Sequence, residues 1–381
     1  MLICTDHIND ENLLALAKTE NNISQCQVCG EKRLAIDLTS PYVHTMLKAI
    51  IRYHHNEYEY NGHFGGDETF TSLIYGRGIF SPDVYESEQN SEDFDCEISS
   101  IEVYDDDGVS VHAGYFDGMP NMLLNSIKDN ESSFIKEISS ELKTTNHYEF
   151  EETIKEKITA YGNSFDFYIE EGQEFYRARI GVKDTKVAYS GFDLHGQRFF
   201  SPFVNEEIGK VPNLYATPGR ANRTGVSYLY CATDMYTAIS EVRPHPSDIV
   251  SIGKFVAIKK IRAFDLSTPH LMDFYLTDDS LKQLSDYVAL ANVFNTATPP
   301  SLEGRYVITQ LISDCIRQVG YEGIVFSSTV GDGKNLVIFD PSKLHYIPNS
   351  QEACEIKSVK YEFSVKGIIG RDDTYEVYRE D

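Results

Sequence analysis

Read with a strand's period of two, Glu174-Phe175-Tyr176-Arg177-Ala178-Arg179 puts Arg177 and Arg179 on one face and Tyr176 and Ala178 on the other. Further short β-type runs follow at Ser227–Cys231, Ile249–Ile258, Gly323–Ser328 and Leu336–Phe339. Helical patterns lie between them over Met235–Val242 and Tyr306–Val319. Strands and helices mix without regular βαβ alternation, so the fold class is α+β.

Three clusters in this half carry polar groups suited to chemistry. Two neighbouring cations repel, so Arg177 and Arg179 call for an anion, either a bound one or a carboxylate elsewhere in the fold. Pro218-Gly219-Arg220-Ala221-Asn222-Arg223-Thr224-Gly225 is a glycine-bounded loop with two arginines, in which Asn222 and Arg223 could equally serve to shape the turn. It leads past Tyr230 to Tyr236-Thr-Ala-Ile-Ser-Glu241-Val-Arg243, which sets Glu241 at a helix end beside Arg243. Tyr321-Glu-Gly323-Ile-Val-Phe326-Ser327-Ser328 is a strand closing in two serines, followed by a Gly-rich turn and Asn335-Leu-Val-Ile-Phe339. No phosphate-binding G-x-x-x-x-G-K-[ST] loop, G-x-S-x-G elbow or H-E-x-x-H zinc motif occurs. Cys231 and Cys315 lie in apolar runs and read as packing residues.

The front of the chain has a different texture. Cys26-Gln-Val-Cys29-Gly30 is a two-residue knuckle, and Cys4-Thr-Asp-His7 repeats its spacing across a short helix from about Asp10 to Glu20. Together Cys4, His7, Cys26 and Cys29 compose a Cys3His set for one tetrahedral zinc, structural because four protein ligands leave no open position. The alternative is a buried Cys4 and a surface His7. Helices are expected from Pro41 through Ile51, over Met122–Lys143 and over Tyr148–Tyr161. Between them, Glu86–Gly118 reads as acidic and turn-rich, and its Asp105-Asp106-Asp107-Gly108 is a solvated turn without the twelve-residue calcium-loop signature. The tail alternates over Val359–Val365 and Thr374–Tyr378, the pattern of a hairpin. The resulting division is 1–40 zinc knuckle, 41–163 helical, 164–350 α+β and 351–381 C-terminal extension.

The length of 381 residues allows two or three domains, and 41% hydrophobic with 12% aromatic residues excludes a disordered acidic chain. The net charge of −25 disfavours nucleic acid, whose phosphates need neutralising. Residues 1–160 hold 11 basic and 30 acidic side chains (−19), and 161–381 hold 23 and 29 (−6). The acid therefore sits mostly away from the arginine clusters. No apolar run is long enough for a membrane span and Met1–Asp6 lacks signal-peptide character, which predicts a cytoplasmic protein. Seven cysteines suit free thiols and a metal site better than a disulfide framework.

In this order, Tyr176-Arg177-Ala178-Arg179, Gly219-Arg220-Ala221-Asn222-Arg223-Thr224-Gly225, Tyr230, Ala238-Ile-Ser-Glu241 and Gly323-Ile-Val-Phe326-Ser327-Ser328 with Asn335 resemble the RES domain. That family looks like ADP-ribosyltransferases in fold and consumes NAD+, typically as the toxin of a toxin–antitoxin pair. The front part, with its Gly65-Gly66 turn, is similar to the HEPN/RES N-terminal zinc-knuckle region, with His7 replacing a usual cysteine. Arg52 is followed too closely by His54 and His55 for the ribonuclease motif of many HEPN domains.

The resemblance implies an enzyme that degrades NAD+ at the nicotinamide–ribose bond, as glycohydrolase or phosphorylase, and acts as a toxin or anti-phage effector. Its rivals are mono-ADP-ribosyl transfer to a protein and an inactive protein-binding module. It implies Arg177, Glu241 and Ser328 as catalytic residues. Tyr176, Arg179, Arg220, Asn222, Tyr230 and Ser327 would bind substrate, Ser327 being the alternative to its neighbour Ser328. The expected partners are NAD+ as substrate, structural zinc, an antitoxin, immunity or activator protein, and a second copy in a homo-oligomer; nucleic acid and membrane are not expected.

Overall fold

The computed structural model describes residues 1–60, 66, 68–101, 125–128, 138, 140–142, 146, 148–189, 195–267, 271–295, 306–361, 363 and 365. Outside these lie most of the helix expected over Met122–Lys143, the Asp105-Asp106-Asp107-Gly108 turn, Gly65 of the glycine pair and the strand expected over Thr374–Tyr378.

The front part folds around a three-stranded sheet of β1 (Leu2–Cys4), β2 (Ile23–Gln25) and β3 (Lys32–Asp37), with β3 central. Helix α1 (Glu11–Glu20) starts at Asp10, whose carboxylate accepts from the Asn12 and Leu13 amides. Helix α2 (Pro41–His54) starts at a first-turn proline and buries Val43, Met46, Leu47, Ile50 and Ile51 on the expected stripe. The short helices α3 (Glu57–Tyr60) and α4 (Phe70–Gly76) follow. Next comes α5 (Glu88–Ser99), inside the stretch read from sequence as turn-rich. That expectation fails because Ser87 caps the first turn and Phe94 and Ile98, four residues apart, bury against the core. The acids that suggested a turn occupy the solvated face. Helix α6 (Tyr148–Ala160) completes this part.

The second half is built on a nine-stranded sheet. Its strands are β4 (Asp166–Ile169), β5 (Glu174–Ile180), β8 (Leu229–Ala232), β9 (Ile249–Ala257), β10 (Ile261–Asp265), β11 (Gly323–Ser327), β12 (Lys334–Ile338), β13 (Leu344–Tyr346) and β14 (Glu352–Glu355). A separate ribbon pairs β6 (Asp184–Val187) with β7 (Arg198–Ser201). The order is β13-β9-β5-β8-β12-β11-β10-β4, with β14 also on β9. All neighbours are antiparallel except β10 and β11. Helices α7 (Met235–Glu241), α8 (Asp278–Asn295) and α9 (Tyr306–Gln318) complete the half, α8 and α9 both contacting β11.

One joint in this sheet is weak. Strand β5 pairs with β9 along its length, from Glu174↔Val256 to Ile180↔Val250, but meets β8 only at Tyr176↔Ala232. The sheet is therefore two ladders that diverge at a single residue pair. In the tail, described residues of Val359–Val365 form no strand, and Glu352–Glu355 pairs with β9 instead.

A single buried cluster runs from Met1 and Ile3 through Leu47, Phe80 and Ile154 to Phe264, Tyr287, Ile316, Phe326 and Val337. The front part and one face of the large sheet thus share a core. The opposite face buries Phe175, Leu229, Cys231, Leu336 and Ile338 with Ile208.

Candidate active site

The seam between β5 and β8 opens into a cleft of about 440 Å³. Tyr176 and Ala178 line it from β5, Tyr230 and Ala232 from β8, Ala238, Glu241, Val242 and Arg243 from α7 and the turn after it. Pro218, Gly219 and Arg220 close one end, and Tyr306, Phe326 and Asn335 complete the wall.

Glu241 sits at the last residue of α7, a helix started by Asp234, whose carboxylate accepts from the Thr237 amide. Its Oε1 accepts from Ser328 Oγ at 2.7 Å and from Asn335 Nδ2 at 2.7 Å. Oε2 accepts no hydrogen bond among the described residues. Ser328 Oγ in turn accepts from the amides of Val330 and Gly331, at 3.2 and 3.0 Å, so the Gly-rich turn after β11 holds the hydroxyl in place. That turn lies against α7 because Gly331 and Gly333 have no side chain: a Cβ at Gly333 would run into Asp234, Thr233 and Thr237. The Gly333 amide then donates to Thr237 Oγ1 at 3.0 Å. Neighbouring strand residues point oppositely, and Ser327 accordingly turns away: its Oγ donates to Ser267 O at 3.0 Å, and its amide donates to Asn295 Oδ1.

The arginines take distinct places. Arg177 enters the seam and donates from Nε to Ile208 O (2.8 Å) and from Nη1 to Tyr230 O (2.6 Å), bridging the strands where their own pairing stops. Burial pulls its guanidinium below the ordinary arginine range, with the Arg179 charge adding to the shift. Arg179 is exposed, donates to Glu207 O and lies over the Phe203 ring at 4.1 Å, away from the cleft. Arg220 lines the cleft, donates to Phe294 O and faces the Phe326 ring at 5.4 Å. Burial lowers its pKa too; Glu241 opposes that shift and Arg243 adds to it.

Asn222 lies behind the cleft. Its Nδ2 donates to the carbonyls of Thr217, Arg223 and Val226, and its Oδ1 accepts from Tyr230 Oη at 2.6 Å. Burial pushes the Tyr230 phenol well above its ordinary pKa, so it remains a donor. The Asn222–Tyr230 pair fixes the loop that presents Arg220. Gln310 on α9 braces the same loop, donating to Gly219 O and Asn222 O at 2.9 and 3.0 Å.

Sequence reasoning left Asn335 and Tyr306 without a role in the site. Asn335 had a signal, since it lies at the start of an apolar strand beside the serines; Tyr306 opens a helix whose apolar stripe hides it. Phe326 is buried, yet its ring forms part of the cleft wall.

A second cluster lies in the front part. The ligand atoms of Cys4, His7, Cys26 and Cys29 lie within 4.8 Å of one another. Cys26 Sγ accepts from the amides of Cys4 and Val28, both at 3.4 Å, the donors a thiolate needs. His7 Nδ1 is engaged by Ser81 Oγ (3.2 Å) and Asp83 (3.5 Å). That leaves Nε2, a buried atom with no hydrogen-bond partner, as the ligand atom. An orphaned imidazole nitrogen beside three sulfurs fits a metal ion, and the cluster could hold one.

Residues 187–357 match the family model described as RES domain, which takes in Arg220, Glu241, Ser328 and Asn335 and begins after β5 with its Tyr176, Arg177 and Arg179. No curated protein matches the chain. A crystal structure of the M. tuberculosis MbcT–MbcA toxin–antitoxin complex is similar at 13% identity and a TM-score of 0.31, over 54% of this chain and 92% of that one. Among the described residues no helix is long and apolar enough to cross a membrane.

Proposed function

We propose that this protein is an NAD+-cleaving enzyme that breaks the bond between nicotinamide and ribose. The observation that carries this reading is Glu241, held by Ser328 and Asn335 in a cleft lined by arginines and aromatic rings. In the reaction the C1′–N bond breaks, its electron pair passes to the nicotinamide nitrogen, and the ribose is left as an oxocarbenium-like cation. Water or inorganic phosphate then adds to C1′ and loses a proton. A fixed carboxylate beside the ribose lowers the energy of that cation and accepts from the 2′-hydroxyl.

In this reading Glu241 Oε1 is committed to Ser328 and Asn335, and Oε2 is left for the sugar. Ser328 holds the carboxylate in place, its hydroxyl being committed to Glu241 and the two turn amides. Tyr176 and Phe326 supply ring surfaces, and Arg220 supplies positive charge toward the pyrophosphate. Arg177 acts as the clasp of the seam, its guanidinium being committed to two carbonyls. The Cys4, His7, Cys26 and Cys29 cluster would hold a structural zinc, which would tie β1 to the knuckle. The RES resemblance extends the proposal to physiology: depletion of NAD+ by a toxin or anti-phage effector restrained by an antitoxin, immunity or activator protein.

Release of nicotinamide from NAD+ by the purified chain tests this reading. Wild type must release it, and Glu241→Gln must lose most of that activity while remaining folded. A folded, active Glu241→Gln variant would remove the carboxylate from the mechanism. The mass of the ribosyl product separates hydrolysis, phosphorolysis and protein modification.

A further inference from the structure

We propose that Arg243, two residues beyond Glu241, is the principal cation gripping the substrate's pyrophosphate. This rests on the NAD+ reading of the cleft and makes Arg220, placed toward the pyrophosphate above, the secondary cation.

Three arginines line the cleft, and their guanidinium groups are differently committed. Arg177 donates to Ile208 O and Tyr230 O, and Arg220 donates to Phe294 O. Arg243 is exposed at the mouth, and its side chain makes no hydrogen bond or ion pair among the described residues. Its full set of donors is open to solvent at the cleft, which suits the planar, bidentate recognition of phosphate oxygens.

The backbone points the same way. Helix α7 ends at Glu241 with Val242 as its C-cap, so Arg243 occupies the following position, where chains turn left-handed and glycine is usual. Arg243 adopts that conformation with φ 49° despite its Cβ, and Pro244 follows it directly. A strained non-glycine residue at a cleft mouth implies that its side chain is needed there. Arg243 also lies near enough to Arg220 for the two charges to oppose each other, an unfavourable pairing that a dianion between them would relieve.

The test uses the full chain and ADP-ribose, which keeps the pyrophosphate, lacks nicotinamide and cannot undergo the cleavage. Titration calorimetry should show that Arg243→Gln and Arg243→Gly each weaken ADP-ribose binding about tenfold or more, the loss of a charge-assisted contact. Arg243→Lys should retain an intermediate affinity. Because Arg243→Gly relieves the left-handed strain, its melting temperature should equal or exceed that of wild type, which separates lost binding from lost folding. Affinity within about twofold of wild type in the Gln and Gly variants, or absence of ADP-ribose binding by wild type, would overturn the assignment. If wild type binds ADP-ribose through Arg243 but releases no nicotinamide from NAD+, the cleavage reading fails and the anion grip stands.

Discussion

Ser328 Oγ lies 2.7 Å from Glu241 Oε1 although 87 residues separate them in sequence. The contact joins the turn after β11 to the last residue of α7, and Asn335 on β12 donates to the same oxygen. The carboxylate is thus positioned by three elements before any ligand arrives.

This pairing predicts an asymmetry between adjacent serines. Ser328→Ala should lower nicotinamide release by about tenfold or more, because Glu241 Oε1 loses a donor and the carboxylate its fixed position. Ser327→Ala removes only the bond to Ser267 O and should leave turnover within about twofold, at a stability cost of about 1 kcal/mol. Steady-state kinetics on the two variants, with denaturant titration as a control, checks both.

Gly333→Ala should act at a distance from any ligand. The added methyl would meet Asp234, Thr233 and Thr237, forcing the turn away from α7 and Ser328 away from Glu241. Activity should fall at least as far as in Ser328→Ala, and a melting curve should show a loss of about 1–3 kcal/mol.

Arg177→Met should unfold before it reveals anything about binding. It leaves the Ile208 and Tyr230 carbonyls without their donor at the seam, a loss of about 2–4 kcal/mol that urea titration would detect. An Arg177→Met variant with wild-type stability and abolished ADP-ribose binding would show instead that this guanidinium is a ligand.

For the metal cluster, elemental analysis should find about one zinc per chain, lost in a Cys26→Ser/Cys29→Ser variant. Asp83→Ala should weaken metal retention against a chelator by about tenfold, since Asp83 and Ser81 orient the His7 ring through Nδ1. A folded wild-type chain free of metal would remove the site.

Acid should destabilise the far edge of the sheet. Burial alone would raise the Asp166 pKa, but hydrogen bonds from Arg262, Tyr168 and Tyr321 outweigh it and hold the carboxyl below its ordinary value. Glu322 is held down likewise, against burial, by Lys343 and the Arg262 amide. A folded-state pKa below the unfolded one means stabilisation that is present above about pH 4 and lost as pH falls through the folded value. Asp166→Asn should therefore be less stable at pH 7 and show a shallower loss between about pH 5 and 2, as followed by denaturant titration across pH.

Much of this fold was legible because its strands carry local signals. Glu174–Ile180 appears over the residues its alternation indicates, and β9, β11, β12, α7 and α9 agree within a residue or two. Strands β13 and β14 are short and owe their pairing to β9, and β10, set directly after β9, owes its place to the parallel pairing with β11 rather than to a pattern of its own. Helix α8 was missed. At the site, Glu241 and Ser328 were legible as ordered motifs. The separate commitments of the three cleft arginines were not, because they depend on which carbonyls the loop at Ile208 and the end of α8 present.

The single pair Tyr176↔Ala232 has a consequence for how ligand and protein stabilise each other. The two walls of the cleft belong to different ladders, so a molecule touching Tyr176 on one side and Phe326 or Asn335 on the other spans a gap that the backbone leaves unpaired. Occupancy and sheet cohesion then become one linked equilibrium, in which a molecule filling the cleft serves as a missing rung. Amide exchange along β5 and β8 should slow together as the cleft fills, and an inhibitor confined to one wall would leave the seam as open as before.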